Sequence, residues 1–180
     1  MIKTANRIAN VEEYYFSKKL AEVRGLDSTE FPIINLGIGS PDLAPSAETI
    51  EALVSTSQKA TSHGYQSYKG IPAFRKAIQS FYKTTYHVEL DTETDILPLM
   101  GSKEGIMHIA LAFVNEGDEV LIPDPGYPTY SSVAKLVGAN VSTYQMKESL
   151  DWGIDIEDLK KRDLSKVKIM WVNFPHMPTG

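Results

Sequence analysis

The chain has 180 residues, 42% of them hydrophobic and 23% charged, the balance of an ordinary globular domain with a real core. A net charge of -5 without any Lys/Arg-rich block argues against nucleic acid as a partner, and the absence of cysteine excludes disulfides, thiolate metal sites and cysteine nucleophiles. No apolar run is long enough to cross a bilayer and the first seven residues hold no leader-like apolar core, so no membrane partner is expected and the expected address is the cytoplasm.

In chain order, the first helix is expected over Val11 to Arg24, capped by Asn10 with Glu13 three residues on, and with Gly25 at its far end. Its Val11, Tyr15, Phe16, Leu20 and Val23 form an apolar stripe that must dock on something. A loop rich in Gly and Pro follows, Asn35-Leu36-Gly37-Ile38-Gly39-Ser40-Pro41-Asp42. Ser46 opens a second helix to about Gln58, and Pro72 is pre-set for the first turn of a third, on which Phe74, Ala77, Ile78, Phe81 and Tyr82 keep helical spacing.

From Asp95 strands and helices alternate. Ile96–Met100 reads as a strand, Ser102–Val114 as a helix and Glu119–Ile122 as a strand. Pro128–Val137 is a helix ended by Gly138, Asn140–Tyr144 a strand, Asp155–Lys161 a short helix and Val167–Val172 an apolar strand. The rhythm predicts an α/β domain with a largely parallel sheet. The last strand is apolar on both faces, as interior strands are, yet no helix follows to cover it, so an open hydrophobic edge or face is expected.

Three strand ends carry candidate chemistry. Gly101-Ser102-Lys103-Glu104-Gly105 joins a strand to a helix; Ser102 suits an N-cap, and the free N–H groups of a helix start suit a phosphate. A capped turn without ligand is the plain alternative, and Lys103 is expected to point to solvent. In Pro123-Asp124-Pro125-Gly126-Tyr127-Pro128-Thr129-Tyr130, the prolines and glycine fix the backbone and present Tyr127, whose ring can stack on a planar heteroaromatic or simply sit on the surface. Asn173 ends the final strand, held by Pro175 and Pro178, and its amide can donate to a phenolate oxygen. A phosphate site, a stacking ring and a phenolate donor are together what pyridoxal 5'-phosphate requires.

Residues 35–180 resemble the N-terminal half of the class I/II aminotransferases, the pyridoxal-phosphate enzymes of the aspartate-aminotransferase fold (fold type I). The likeness is carried by Leu36-Gly37-Ile38-Gly39-Ser40-Pro41-Asp42, Tyr65-Gln66-Ser67-Tyr68-Lys69-Gly70-Ile71-Pro72, the two strand-end motifs above and Asn173-Phe174-Pro175-His176-Met177-Pro178-Thr179-Gly180. It implies an incomplete three-layer α/β/α large domain over residues 46–180, preceded by a helical arm and small-domain segment over residues 1–45. It also implies the cofactor pyridoxal 5'-phosphate, amino acid and 2-oxo acid substrates, and a homodimer. Gly101, Ser102 and Lys103 would supply the phosphate turn, Tyr127 would stack on the pyridine ring and Asn173 would bond the 3′ oxygen. Tyr65 would reach the neighbouring subunit's cofactor phosphate, and Gly39 would approach the substrate carboxylate. Met177 departs from the asparagine common before Pro-Thr-Gly; the donor role is given to Asn173.

Such enzymes also need a lysine that binds the cofactor covalently, an aspartate on the ring nitrogen and an arginine on the substrate carboxylate, all beyond the matching motifs. Neither Lys69 nor Lys103 lies in a motif that would make it that lysine. The expectation is an aminotransferase by descent whose 180 residues do not catalyse alone. The alternative is a non-catalytic fragment, or one half of a split enzyme that associates through its exposed sheet. The likeness extends to bacterial aspartate and LL-diaminopimelate groups without separating them. Rival chemistries fail on spacing: Gly37-Ile38-Gly39 lacks the third glycine of a dinucleotide fingerprint, no Gly-x-Ser-x-Gly elbow exists, and His63, His87, His108 and His176 are too scattered for a metal. These four are expected to be surface or hydrogen-bonding histidines.

Overall fold

The computed structural model describes residues 2–9, 11, 13–37, 39 and 41–180. Asn10, the expected helix cap, and Ile38 and Ser40 of the Gly-rich loop lie outside them. The chain divides into two compact units, Tyr14–Pro98 and Leu99–Gly180, the second including the described residues before Tyr14.

The first unit holds α1 (Tyr15–Leu26), α2 (Ala47–Ser57) and α3 (Pro72–Tyr86). α2 starts where its cap predicts, with Ser46 Oγ accepting from the Thr49 N–H at 3.3 Å. α1 starts later than expected and runs through Gly25, because its exit is made by Asp27 in extended conformation and no left-handed residue is needed. Phe16, Leu20 and Val23 of its stripe are half-buried, whereas Val11 and Tyr15 are exposed.

α3 opens on Pro72 as expected, but its burial inverts the apolar pattern. Phe74, Phe81 and Tyr82 are exposed, and the residue it buries is Arg75. Phe81, Tyr82 and Tyr86 satisfy part of their apolar surface by packing on one another, at centroid separations of 6.0, 5.8 and 5.5 Å.

The second unit is a sheet of β1 (Glu119–Asp124), β2 (Asn140–Lys147), β3 (Gly153–Ile154) and β4 (Val167–Met170), in the order β3-β2-β1-β4. β1 pairs in parallel with both β2 and β4, and β3 adds an antiparallel edge that periodicity did not reveal because it is two residues long. The helices are α4 (Ser102–Phe113), α5 (Pro128–Leu136) and α6 (Ile156–Leu159). Residues 96–100, expected as a strand, join no strand of this sheet; an extended segment becomes a strand only where a neighbour completes its hydrogen bonds.

Alternation along the strands builds two cores and hence three layers. Val120 and Ile122 pack with Ile106 of α4 and Tyr130 and Ala134 of α5 on one face. Leu121, Tyr144 and Met146 pack with Leu159 of α6 on the other. β4 obeys the same logic only through a register shift: Glu119 pairs with Val167, but Val120 pairs with Ile169. The extra residue, exposed Lys168, lets Val167 join the α6 face and Ile169 the opposite one. β4, apolar on both faces, lies at the edge of this sheet and is half-buried, in line with the open edge or face expected of it.

Tyr144, 2% exposed, donates its hydroxyl to the Trp171 carbonyl at 2.8 Å and so ties β2 to the residue after β4. Burial, and secondarily the neighbouring Tyr130, push its phenol up to about 12. A pKa raised in the folded state gives stability that is complete below the unfolded value, about 10 for tyrosine. That stability is lost as pH rises from there through about 12. Tyr144→Phe is therefore expected to cost about 1 kcal/mol at neutral pH, from the lost hydrogen bond, and to flatten the alkaline limb of stability. Denaturant unfolding at neutral pH and across that alkaline window reads both; an unchanged alkaline limb would remove Tyr144 as its source.

Candidate functional site

Open parallel sheets bind ligands beyond their strand carboxyl ends, where strand order reverses. Here the reversal falls at β1. The chain leaves β1 through α5 for β2 on one side, then returns through α6 to lay β4 on the other. The carboxyl ends of β1 and β4 form that switch point, and the residues just after them are Tyr127 and Asn173.

α4 starts with Gly101 as its N-cap, at φ 98 and ψ 160, with no side-chain cap. Ser102, expected as the cap, is instead the first helical residue. No atom lies within 4 Å of where a Cβ on Gly101 would stand, so the backbone at this helix start faces open space. A helix of 12 residues leaves its first-turn N–H groups pointing there with the positive end of its dipole. Glu104 completes the start: its Oε2 accepts the Met100 N–H at 2.6 Å, a role legible in its position three residues after the cap.

Tyr127 caps α5 and is half-buried; the glycine before it is obligatory, since a Cβ on Gly126 would stand 2.3 Å from the Pro123 carbonyl oxygen. Lys103 is exposed but not merely solvent-directed, because its Nζ lies 5.9 Å from the centroid of the Tyr127 ring. That contact brings the α4 start and the aromatic ring together.

The rings then lead on toward β4. Tyr127 meets Tyr130 edge-on at 5.6 Å, and Tyr130 stacks on Trp171 at 5.1 Å with planes 10° apart. Trp171 also donates its N–H to the Leu121 carbonyl at 2.9 Å. Half-buried Asn173 stands two residues further on. Sequence reading missed Tyr130 and Trp171 because their partners are distant in the chain.

After Asn173 the backbone is fastened by His176. Its Nδ1 lies 2.6 Å from Thr179 Oγ1, and its carbonyl accepts the Gly180 N–H at 2.6 Å. At 3% exposure it is a hydrogen-bonding histidine of the interior. Gly39 and Tyr65 belong to the other unit, where both are exposed, Tyr65 completely so. Lys69, in that unit, donates to the Glu93 carbonyl at 3.3 Å. Among the described residues no group of three or more His, Cys, Asp or Glu side chains could hold a metal, and no helix is long and apolar enough to cross a membrane.

By architecture this is an α/β domain with a mostly parallel sheet, and its candidate site lies at strand carboxyl ends. The chain belongs to the aminotransferases of class I and II, whose family model matches residues 32–180. That family depends on pyridoxal phosphate. The LL-diaminopimelate aminotransferase of Oleidesulfovibrio alaskensis is 41% identical over 181 residues, covering 98% of this chain and 45% of that protein. The protein of the same name from Dehalococcoides mccartyi is 36% identical over 182 residues, covering 99% and 46%. Among solved structures, substrate-bound BacF of Bacillus subtilis superposes with a TM-score of 0.90 at 31% identity, over 99% of this chain and 45% of that one. The chain spans about half the length of the curated relatives it matches.

Proposed function

We propose that this chain is the cofactor-binding portion of a pyridoxal-phosphate-dependent aminotransferase, which exchanges an amino group between an amino acid and a 2-oxo acid. The observation that carries this is the contact between the α4 start and the Tyr127 ring, at the point where strand order reverses. The residues fit the group. The open backbone at Gly101, with the first-turn N–H groups of α4 and the Ser102 hydroxyl, matches a phosphate dianion. The Tyr127 ring matches a planar pyridine, and the Asn173 amide matches a phenolate oxygen.

Bound pyridoxal phosphate supplies the electron sink and carries the amino group. This chain's residues hold and orient it: the α4 turn fixes one end, Tyr127 one ring face, and Asn173 keeps the 3′ oxygen in its anionic form. Gly39 gives its backbone to the substrate carboxylate, and Tyr65 reaches the cofactor phosphate of the second subunit in a homodimer. The covalently binding lysine, the ring-nitrogen aspartate and the carboxylate-binding arginine we place in the remaining length of the relatives. LL-Diaminopimelate is the amino donor we favour, because relatives named for it match at 36% and 41% identity.

The test is a cofactor and substrate titration of the protein expressed from its native gene. Pyridoxal phosphate is expected to bind with a shifted absorption band, and kcat/KM for LL-diaminopimelate to exceed that for aspartate at least tenfold, the lower end of the discrimination that differences in pocket contacts produce. Asn173→Ala is expected to weaken cofactor retention and raise the pH at which the absorption band titrates. Met177→Asn serves as its control. A band that ignores Asn173→Ala but moves with Met177→Asn would transfer the donor role to position 177, and failure to bind the cofactor at all would end the proposal.

A further inference from the structure

Arg75 is the buried charge of α3, 5% exposed, on a helix whose phenylalanines stand in solvent. Its Nη1 donates to the carbonyls of Gly70 at 2.8 Å and Lys69 at 3.2 Å, and its Nη2 donates to Glu93 Oε1 at 2.8 Å. Lys69 repeats the link through its bond to the Glu93 carbonyl. The Pro98 ring presses on Gly70 from another side, with Cγ 3.0 Å from where a Cβ would stand. What is gripped is a tight turn, Ser67 to Gly70, closed by the Gly70 N–H to the Ser67 carbonyl at 2.8 Å.

Two large rings stand on that mount, Tyr65 just before the turn and Tyr68 within it, 109% and 90% exposed. A guanidinium is costly to bury unless its hydrogen bonds are made, and Arg75 makes them through Nη1 and Nη2, its buried Nε being left without a partner. Its planar fork suits the task, because one nitrogen can grip two successive carbonyls while the other holds a carboxylate.

We infer that Arg75 is a positioning residue for the amino-transfer site: it acts through the Ser67–Gly70 turn to hold Tyr65 at the reach a phosphate oxygen requires. The inference rests on the role proposed above for Tyr65. The two carbonyl bonds do the positioning, and the ion pair to Glu93, whose side chain is 63% exposed, is secondary.

The experiment measures pyridoxal phosphate affinity, by equilibrium dialysis on the protein from its native gene, for Tyr65→Phe, Arg75→Met, the double variant and Glu93→Gln. Tyr65→Phe and Arg75→Met are each expected to lose about tenfold in affinity, with the double variant within about threefold of Tyr65→Phe alone, since residues acting as one unit are non-additive. Glu93→Gln is expected to stay within about threefold of the parent. Losses that multiply in the double variant, or an Arg75→Met that binds like the parent beside a weakened Tyr65→Phe, overturn the inference and leave the proposed function standing. A Tyr65→Phe that binds like the parent removes the role of Tyr65 itself, and with it that of Arg75. If Arg75→Met does not fold, Arg75→Lys replaces it, keeping the charge but not the fork, with the same coupling to Tyr65→Phe expected.

Discussion

Gly126→Ala is expected to unseat the aromatic platform and to destabilise the protein with it. The added methyl would meet the Pro123 carbonyl oxygen at 2.3 Å, Pro123 Cγ at 2.9 Å and the Pro123 carbonyl carbon at 3.1 Å. Two of those three atoms are backbone, at the carboxyl end of the central strand, so no rotamer change relieves the clash. The loop must shift, and Tyr127 follows directly. Overpacking of this kind costs about 1–3 kcal/mol, and a displacement near 1 Å in a site can lower its performance about a hundredfold. Tm and pyridoxal phosphate affinity should therefore fall together. A variant that matched the parent in both would show that the β1–α5 loop holds the ring less tightly than its geometry implies.

Gly101→Ala is expected to separate those two readouts. Its surroundings are open, so the methyl meets nothing. The cost is conformational: φ 98 with ψ 160 lies in the region essentially reserved for glycine, where another residue carries about 1–3 kcal/mol of strain. The backbone can relieve that strain by rotating, since the position is exposed, and the rotation would turn the N–H groups of the α4 start away from a bound anion. Cofactor affinity should fall about tenfold to a hundredfold, the equivalent of that strain, while Tm changes little. A large drop in Tm with unchanged affinity would make Gly101 a structural glycine and remove the phosphate role from this turn.

Local signals in the sequence were read correctly where the deciding atoms are neighbours in the chain. Ser46 bonds a backbone N–H three residues on, Pro72 and Pro128 pre-set helix starts, and Gly138 at φ 83 ends the segment after α5. The strand-end motifs were legible only in part: the turns fall where their glycines and prolines stand, but the cap of α4 is Gly101 and not Ser102, because a left-handed approach to the helix suits glycine. Gly25 misled because a glycine permits a helix end without compelling one.

What the sequence determined by itself was the alternation of strand and helix, the α/β class, and the motifs at positions 101–105, 123–130 and 173–180 that mark the family. Tertiary structure alone decided that β1 lies between β2 and β4, which sets the carboxyl ends of β1 and β4 side by side. It also decided that Lys168 is the extra residue of β4, that Lys103 lies over Tyr127, and that α3 buries Arg75 while exposing Phe74 and Phe81. The physical reason is common to all of these. Caps, turns and periodicity are energies of a few adjacent residues, whereas strand order, register and burial depend on partners far along the chain, and only the folded arrangement chooses them.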